Sequence, residues 1–258
     1  MIHKLTEIHP DAKIGKDVKI GPFCNIAGDV EIGDGTELLS HVTVLDGARI
    51  GKNCKIFPGA VIGAIPQDLK FKGEYTTLEL GDNNTIRECV TLNRGTASRG
   101  KTVIGSNNLI MAYCHVGHDC VLGNHLVISN DTQIAGEVEI DDWAVVGGAC
   151  AVVQFSKIGK HAMVSGKLGV IKDVPPYAKA GRDPISYVGV NSVGLNRRGF
   201  TQETINLIAD CYRIIYLRGY NHTQALEVLK SEIKQCAERD DIINFLESST
   251  RGIMKGPK

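Results

Sequence analysis

The stretch Lys13-Ile14-Gly15-Lys16-Asp17-Val18-Lys19-Ile20-Gly21-Pro22-Phe23-Cys24-Asn25-Ile26 places an isoleucine at every sixth position. Followed in both directions, that phase runs from Ile8 to Val170. Of its 28 positions 25 hold Ile, Leu or Val, where composition alone would give about seven. Four residues after each large aliphatic comes a smaller one, among them Val18, Cys24, Val30, Thr36, Cys54, Ala60, Cys114, Cys120 and Cys150. A short fixed period of large and small inward residues, rich in β-branched side chains, predicts stacked β-solenoid coils and not a helical repeat. Five of the eight cysteines share the small inward phase and are expected as buried packing groups. Glycine often follows the aliphatic, as at Gly15, Gly33, Gly51, Gly117 and Gly147, where it is expected to supply a sharp bend between short strands.

The [LIV]-G-x-x-x-x repeat resembles the hexapeptide family of left-handed parallel β-helices, which implies triangular coils of three hexads. The left hand comes from the resemblance and not from the period. Near Asp173-Val174-Pro175-Pro176 the phase stops, and two prolines are expected to end the ladder. A connector from Lys179 to Gly199 leads into helical periodicity, with helices expected from Thr201 to about Gly219, from Thr223, and from about Asp240. The expected fold is therefore mainly β: a left-handed parallel β-helix over residues 1–181, with loop excursions at 64–79 and 94–103. A connector and α-helical C-terminal domain over 182–258 would cover the open edge of the coils.

The 29 Lys+Arg cancel the 29 Asp+Glu, which excludes the diffuse basic surface that nucleic acid would require. No run reaches the ~18 apolar residues of a membrane span, and no apolar stretch follows Met1-Ile2-His3-Lys4. The expectation is a soluble cytoplasmic protein. Eight cysteines with no Cys-x-x-Cys pair fit reduced thiols better than a disulfide framework or a zinc ribbon.

The repeat breaks at Asp68, Glu74 and Ser98, and loops on a rigid scaffold are where binding residues collect. Because these breaks lie within two 18-residue coils, both loops should project from neighbouring levels and wall a cleft. The second contains Gly95-Thr96-Ala97-Ser98-Arg99-Gly100-Lys101-Thr102, a formal match to G-x-x-x-x-G-K-[ST]; the hexad resumes at once at Val103-Ile104-Gly105, without the helix a phosphate-binding loop needs. None of the eight histidines falls in an inward phase. The run Tyr113-Cys114-His115-Val116-Gly117-His118-Asp119-Cys120 puts two imidazoles and a carboxylate outside the coil, a grouping suited to general-base chemistry near neutral pH. Zinc ligation is the competing use.

Ile65-Pro66-Gln67-Asp68-Leu69-Lys70-Phe71, Ile86-Arg87-Glu88, the His115–Cys120 run, Asp173-Val174-Pro175-Pro176-Tyr177, Gly189-Val190-Asn191 and Leu195-Asn196-Arg197-Arg198-Gly199-Phe200 together resemble one group within that class. These are the acyl carrier protein-dependent UDP-N-acetylglucosamine 3-O-acyltransferases that begin lipid A synthesis, and the similarity covers essentially the whole chain. The resemblance implies that His118 takes the proton from the sugar 3-hydroxyl, that Asp119 orients it, and that the Gly136 N–H receives the oxyanion. It implies that Gln67, Asp68, Lys70, His115 and Gln154 hold sugar nucleotide or acyl group, and that Asn191, Arg197 and Arg198 hold uridine and phosphates. Gly166 matches the position that limits acyl length, and glycine there implies a long (3R)-3-hydroxyacyl donor. No cofactor, metal or covalent acyl-enzyme is implied, and a homotrimer is. Glu137, Val153 and Val193 depart from the family pattern and leave a 3-amino sugar nucleotide open as acceptor. A second reading is a γ-class carbonic anhydrase-like β-helix with His115 and His118 on zinc. A third is a structural scaffold, although that would not call for polar loop excursions beside His118.

Overall fold

In the computed structural model, which describes residues 1–257, the period-six aliphatics stack into a left-handed parallel β-helix of three sheets. Most strands are two residues long. Face one runs from Glu7–Ile8 to Gly169–Val170, face two from Lys13–Ile14 to Lys157–Ile158, and face three starts at Lys19–Ile20. A regular coil is 18 residues, so that Ile14 lies on Ile32 and Ile32 on Ile50. Such columns remove their side chains from water at about 25 cal/mol per Å² of apolar area. The five in-phase cysteines are buried among them, and burial raises their thiol pKa values, that of Cys120 to about 12. They are packing groups.

Two small inward positions carry asparagine instead. Asn84 donates to the Gly81 and Gly105 carbonyls (2.8 Å each) and accepts from the Asn108 N–H at 2.9 Å; Asn108 donates to the Gly123 carbonyl and accepts from the Leu126 N–H. Every polar atom of this internal ladder is paired, as burial demands.

Apart from Gly63 (φ 81°), the glycines after the aliphatics do not make the bends. Among Gly15, Gly33, Gly51, Gly117 and Gly147 none has a positive φ, whereas residues three places after the aliphatics do, including Asp17 (57°), Asn53 (53°), Asp119 (58°), Glu137 (58°) and Trp143 (64°). The left-handed residue donates its N–H to the corner of the preceding coil, as from Trp143 to the Asn124 carbonyl at 2.8 Å. Glycine serves coil stacking: a Cβ at Gly33 would stand 2.6 Å from the Gly51 carbonyl carbon, and one at Gly147 would stand 2.5 Å from the Gly166 nitrogen.

The prolines shorten a coil and do not end the ladder. Ile158 bridges to Val174 and Val164 pairs with Ala180, each sixteen residues on. Pro175 and Pro176 lie between Val174 and Tyr177, whose N–H groups make the inter-coil bonds, so no ladder donor is lost. Face three continues into the expected connector through Ala178–Gly181, which pairs antiparallel with Ser186–Val190. The strands Thr77–Leu80 and Lys101–Ile104 likewise trim the loops to 65–76 and 94–100, because these residues pair with each other across neighbouring coils.

Among the described residues four helices follow: α1 (Ser192–Arg197), α2 (Gln202–Leu217), α3 (His222–Glu232) and α4 (Ala237–Ser248). The last three lie where the helical periodicity predicts them; α1, inside the expected connector, has six residues, too few to show a helical period. Thr201 caps α2 and an Asn221–Gln224 capping box opens α3. The Tyr212 hydroxyl donates to the Pro176 carbonyl, and Tyr177 and Lys160 both reach Asp241 of α4, fastening the helices to the end of the coil.

Candidate active site

One corner of the triangle, between faces one and two, collects the chemistry. Partners on face one are 30 residues apart from Ile62 to Leu92, 24 from Leu92 to Val116 and 18 from Val116 to Ile134. The extra residues are the loops 65–76 and 94–100, both at this corner. Insertions of two hexads and one hexad leave the phase intact. His118 and Asp119 occupy the same corner on the next coil, Gly136 and Glu137 on the one after, and Gln154 beyond them.

His118 Nδ1 lies 2.7 Å from Asp119 Oδ2. The Asp119 side chain is fully buried and also accepts from the Thr96 N–H (2.9 Å), the Thr96 hydroxyl (2.6 Å) and the Arg99 N–H (3.2 Å). Burial alone would raise its pKa, but the hydrogen bonds from Thr96, His118 and Arg99 outweigh it and hold the carboxyl below the ordinary 3.8. An ionised carboxylate only accepts, so Nδ1 carries the proton and Nε2 keeps its lone pair in the neutral ring. That nitrogen stands 3.8 Å from Asp68 Oδ2, with the His118 side chain 12% exposed. Beneath the ring lies Gly136: a Cβ there would stand 2.5 Å from both Cε1 and Nε2. Among the described residues the Gly136 N–H donates to no protein acceptor.

The loops are tied to each other and to the corner. Asp68 accepts from the Lys70 N–H at 2.9 Å, Glu74 accepts from the Ala97 N–H at 3.0 Å, and Ser98 donates to Glu137 at 3.0 Å. Arg99 pairs with Glu139 at 2.6 Å and stands 3.9 Å from Glu137. The carboxylate at the departing position 137 is thus engaged inside the protein. Lys101, the would-be phosphate lysine, is in a strand and pairs with Glu79 at 3.1 Å. Gln67 and Lys70 are exposed on the first loop, and the Gln154 carbonyl accepts from Arg251. His115 points outward on face one with Nδ1 2.7 Å from the Thr91 hydroxyl; burial, then the nearby His118, lowers its pKa. Nothing in the residue pattern singles out Thr96, Arg99 or Thr91. The only available signal was that the first two lie in the second break.

The remaining expected site residues lie elsewhere on the chain. Gly166 sits at the corner between faces three and one, against the Gly148 carbonyl. Asn191, Arg197 and Arg198 follow the last strand of face three, across the triangle from His118. There the Asn191 side chain caps α1 through the Gly194 N–H (3.3 Å) and donates to the His161 carbonyl (2.9 Å). With Met163, Lys179 and Val193 these three residues line a cavity of about 560 Å³. Among the described residues neither arginine has a carboxylate within 4.0 Å.

The lowered Asp119 value has a definite sign for stability. Its ionised form contributes stability above pH 3.8 that is lost as the pH falls through the folded value. Urea melts of the native and Asp119→Asn proteins should differ most near neutrality, by about 1–3 kcal/mol for hydrogen bonds to a charged acceptor. The difference should close in acid. If it is the same at every pH, the stabilisation is packing and not charge.

Residues 173–254 match the family model described as UDP N-acetylglucosamine O-acyltransferase, domain 2, and residues 11–46, 29–64 and 101–136 match the bacterial transferase hexapeptide model. An acyl-[acyl-carrier-protein]–UDP-N-acetylglucosamine O-acyltransferase of Burkholderia mallei (strain SAVP1) is 42% identical over 200 residues, 75% of this chain and 76% of that one. A UDP-N-acetylglucosamine acyltransferase from Bacteroides fragilis 9343 superposes with a TM-score of 0.98 at 49% identity, over 99% of this chain and 100% of that one. That of Francisella novicida gives 0.96 at 40% identity, over 100% and 95%. A coil with His118 hydrogen-bonded to Asp119 beside two inserted loops, and this degree of likeness along its length, leave one assignment: the chain belongs to the UDP-N-acetylglucosamine O-acyltransferase family.

Proposed function

We propose that this protein transfers a long (3R)-3-hydroxyacyl chain from acyl carrier protein to the 3-hydroxyl of UDP-N-acetylglucosamine, the step that opens lipid A synthesis, and does so in the cytoplasm. No helix among the described residues is long and apolar enough to cross a membrane. The observation that carries the mechanism is the His118 ring, held at Nδ1 by Asp119, resting on Gly136, with Nε2 toward Asp68. In this reading Nε2 takes the proton of the sugar 3-hydroxyl as that oxygen attacks the thioester carbonyl. Charge collects on the carbonyl oxygen, where the unpartnered Gly136 N–H donates; one such donor is commonly worth about 10²–10³ in rate. Collapse breaks the C–S bond, and the imidazolium returns its proton to the departing thiolate. Asp119 keeps the ring in the working tautomer and stabilises the imidazolium. Gln67, Asp68, Lys70, His115 and Gln154 hold substrate around this corner, and Gly166 leaves room for a long acyl chain.

The two unpaired arginines and Asn191 belong at the nucleotide end of the same site, yet they lie across the triangle from His118. We propose that a second copy of the chain supplies them, within a homotrimer. The coil over 1–181 brings the base, and the unit over 182–258 brings the anion-binding side chains.

Two assays test this reading. The purified protein should acylate UDP-N-acetylglucosamine from long hydroxyacyl carrier protein thioesters in preference to short ones and to a 3-amino acceptor. A protein inactive with every such donor would refute it. Mixing His118→Ala with Arg197→Ala/Arg198→Ala chains after dissociation should restore activity to about a quarter of the sites, because one interface in four then pairs intact halves. No recovery in a demonstrated mixed oligomer would place the whole site within one chain.

A further inference from the structure

The corner between faces two and three carries a column of rings outside the coil. His125 stacks on Trp143 at 4.0 Å and 8°, Trp143 on His161 at 6.1 Å and 4°, and His161 on Tyr177 at 5.6 Å and 12°; Phe200 meets His161 edge-on at 5.1 Å. His161 is therefore held on both faces and one edge. Two side chains from beyond face three converge on it. Arg198 Nη1 is 3.3 Å from His161 Nδ1, with its guanidinium carbon 5.2 Å from the centre of the Trp143 ring, and Asn191 donates to the His161 carbonyl at 2.9 Å. A guanidinium has donors only, so this contact requires Nδ1 to be the acceptor and His161 to be neutral with its proton on Nε2. The charged groups around the ring are Arg198, Lys160, Asp142 and Asp241; burial, then the two cations, push its pKa down to about 4. The ring is therefore neutral around pH 7, as the Arg198 contact requires.

We infer that His161 is a positioning residue for the sugar-nucleotide end of the site: its ring, clamped by Trp143, Tyr177 and Phe200, orients the Arg198 guanidinium, and its carbonyl fixes Asn191. The inference rests on the reading of Arg198 as a phosphate-holding residue. Arg198 lacks the carboxylate partner that would normally orient an arginine, and a stacked aromatic face with a neutral acceptor does so without cancelling its charge. The exposed Arg197 has no such support.

Steady-state kinetics of the full-length protein with UDP-N-acetylglucosamine test the inference. His161→Phe keeps the stack and removes the acceptor; it should raise KM for the sugar nucleotide about tenfold, the loss of one hydrogen bond to a charged group, with kcat changed less than about twofold. His161→Asn should restore much of the affinity, since Oδ1 takes the place of Nδ1 and asparagine tolerates the left-handed φ of 56° at this residue. His161→Gln, whose amide lies nearer the place of Nε2, should not. Adding Arg198→Ala to His161→Phe should cost nothing further. If Arg198→Ala raises KM and His161→Phe does not, His161 is only part of the corner and the inference falls while the nucleotide reading stands. If Arg198→Ala leaves KM unchanged, both fall. Should phenylalanine prevent folding, equal KM values for the Asn and Gln variants would overturn the inference.

Discussion

Alanine at position 118 is expected to lower kcat by about 10³-fold, within the ~10²–10⁴ range of a positioned general base, while leaving KM for both substrates nearly unchanged. In the proposed mechanism the change removes only the group that accepts a proton. Asp119 keeps its three remaining donors, the Thr96 N–H and hydroxyl and the Arg99 N–H, so its buried charge stays satisfied and the corner should hold its shape. The residual rate reports what binding and the Gly136 N–H achieve without the base. Single-turnover measurement with saturating acyl carrier protein thioester is the appropriate check, because it isolates the chemical step from product release. A His118→Ala protein that keeps more than a tenth of the native kcat would exclude His118 as the base.

The second large effect is expected from one methyl group. In Gly136→Ala the new Cβ would stand 2.5 Å from Cε1 and Nε2 of His118, well inside the ~3.5–4.0 Å of a favourable carbon contact, so the ring must move by roughly 1 Å. A displacement of that size commonly costs about 10² in rate. The backbone N–H is unchanged by the substitution, so the loss would measure the seat of the His118 ring and not the proposed oxyanion donor. Folding should weaken by about 1–3 kcal/mol, as for other overpacked sites. The decisive pair of measurements is kcat and the imidazole NMR signals of His118: a native rate with an undisturbed Nδ1–Asp119 hydrogen bond would show that the ring does not rest on Gly136.

The proposed base and its partner were legible because the repeat is so regular. His118 and Asp119 interrupt nothing in the inward phase, yet they stand next to each other where the pattern expects ordinary corner residues. The loops were legible for the opposite reason, since Asp68, Glu74 and Ser98 violate the phase. Thr96 was not legible. Its hydroxyl looks like any loop threonine until the 24-residue coil folds it over Asp119. The Asn84–Asn108 ladder was hidden similarly, because an inward polar residue pays off only when the same column of the next coil supplies its partner. The ring column at the second corner was equally invisible, because His125, Trp143 and His161 become neighbours only when coils of eighteen residues stack.

By itself the sequence determined the solenoid, its period, its inward columns, the corner loops and the dyad, because each follows from residue type at a fixed local spacing. Only the tertiary structure decided which residues share a corner. Lateral position around the triangle depends on coil length: two loops lengthen coils by whole hexads and keep the phase, and the proline turn shortens one coil to sixteen residues where the phase stops. That is why Thr96, on the lengthened coil, reaches Asp119 and why Arg197 and Arg198 emerge on the far side of the coil from the histidine they are expected to serve, whereas Gly136 falls beneath His118 simply because one regular coil of eighteen residues separates them.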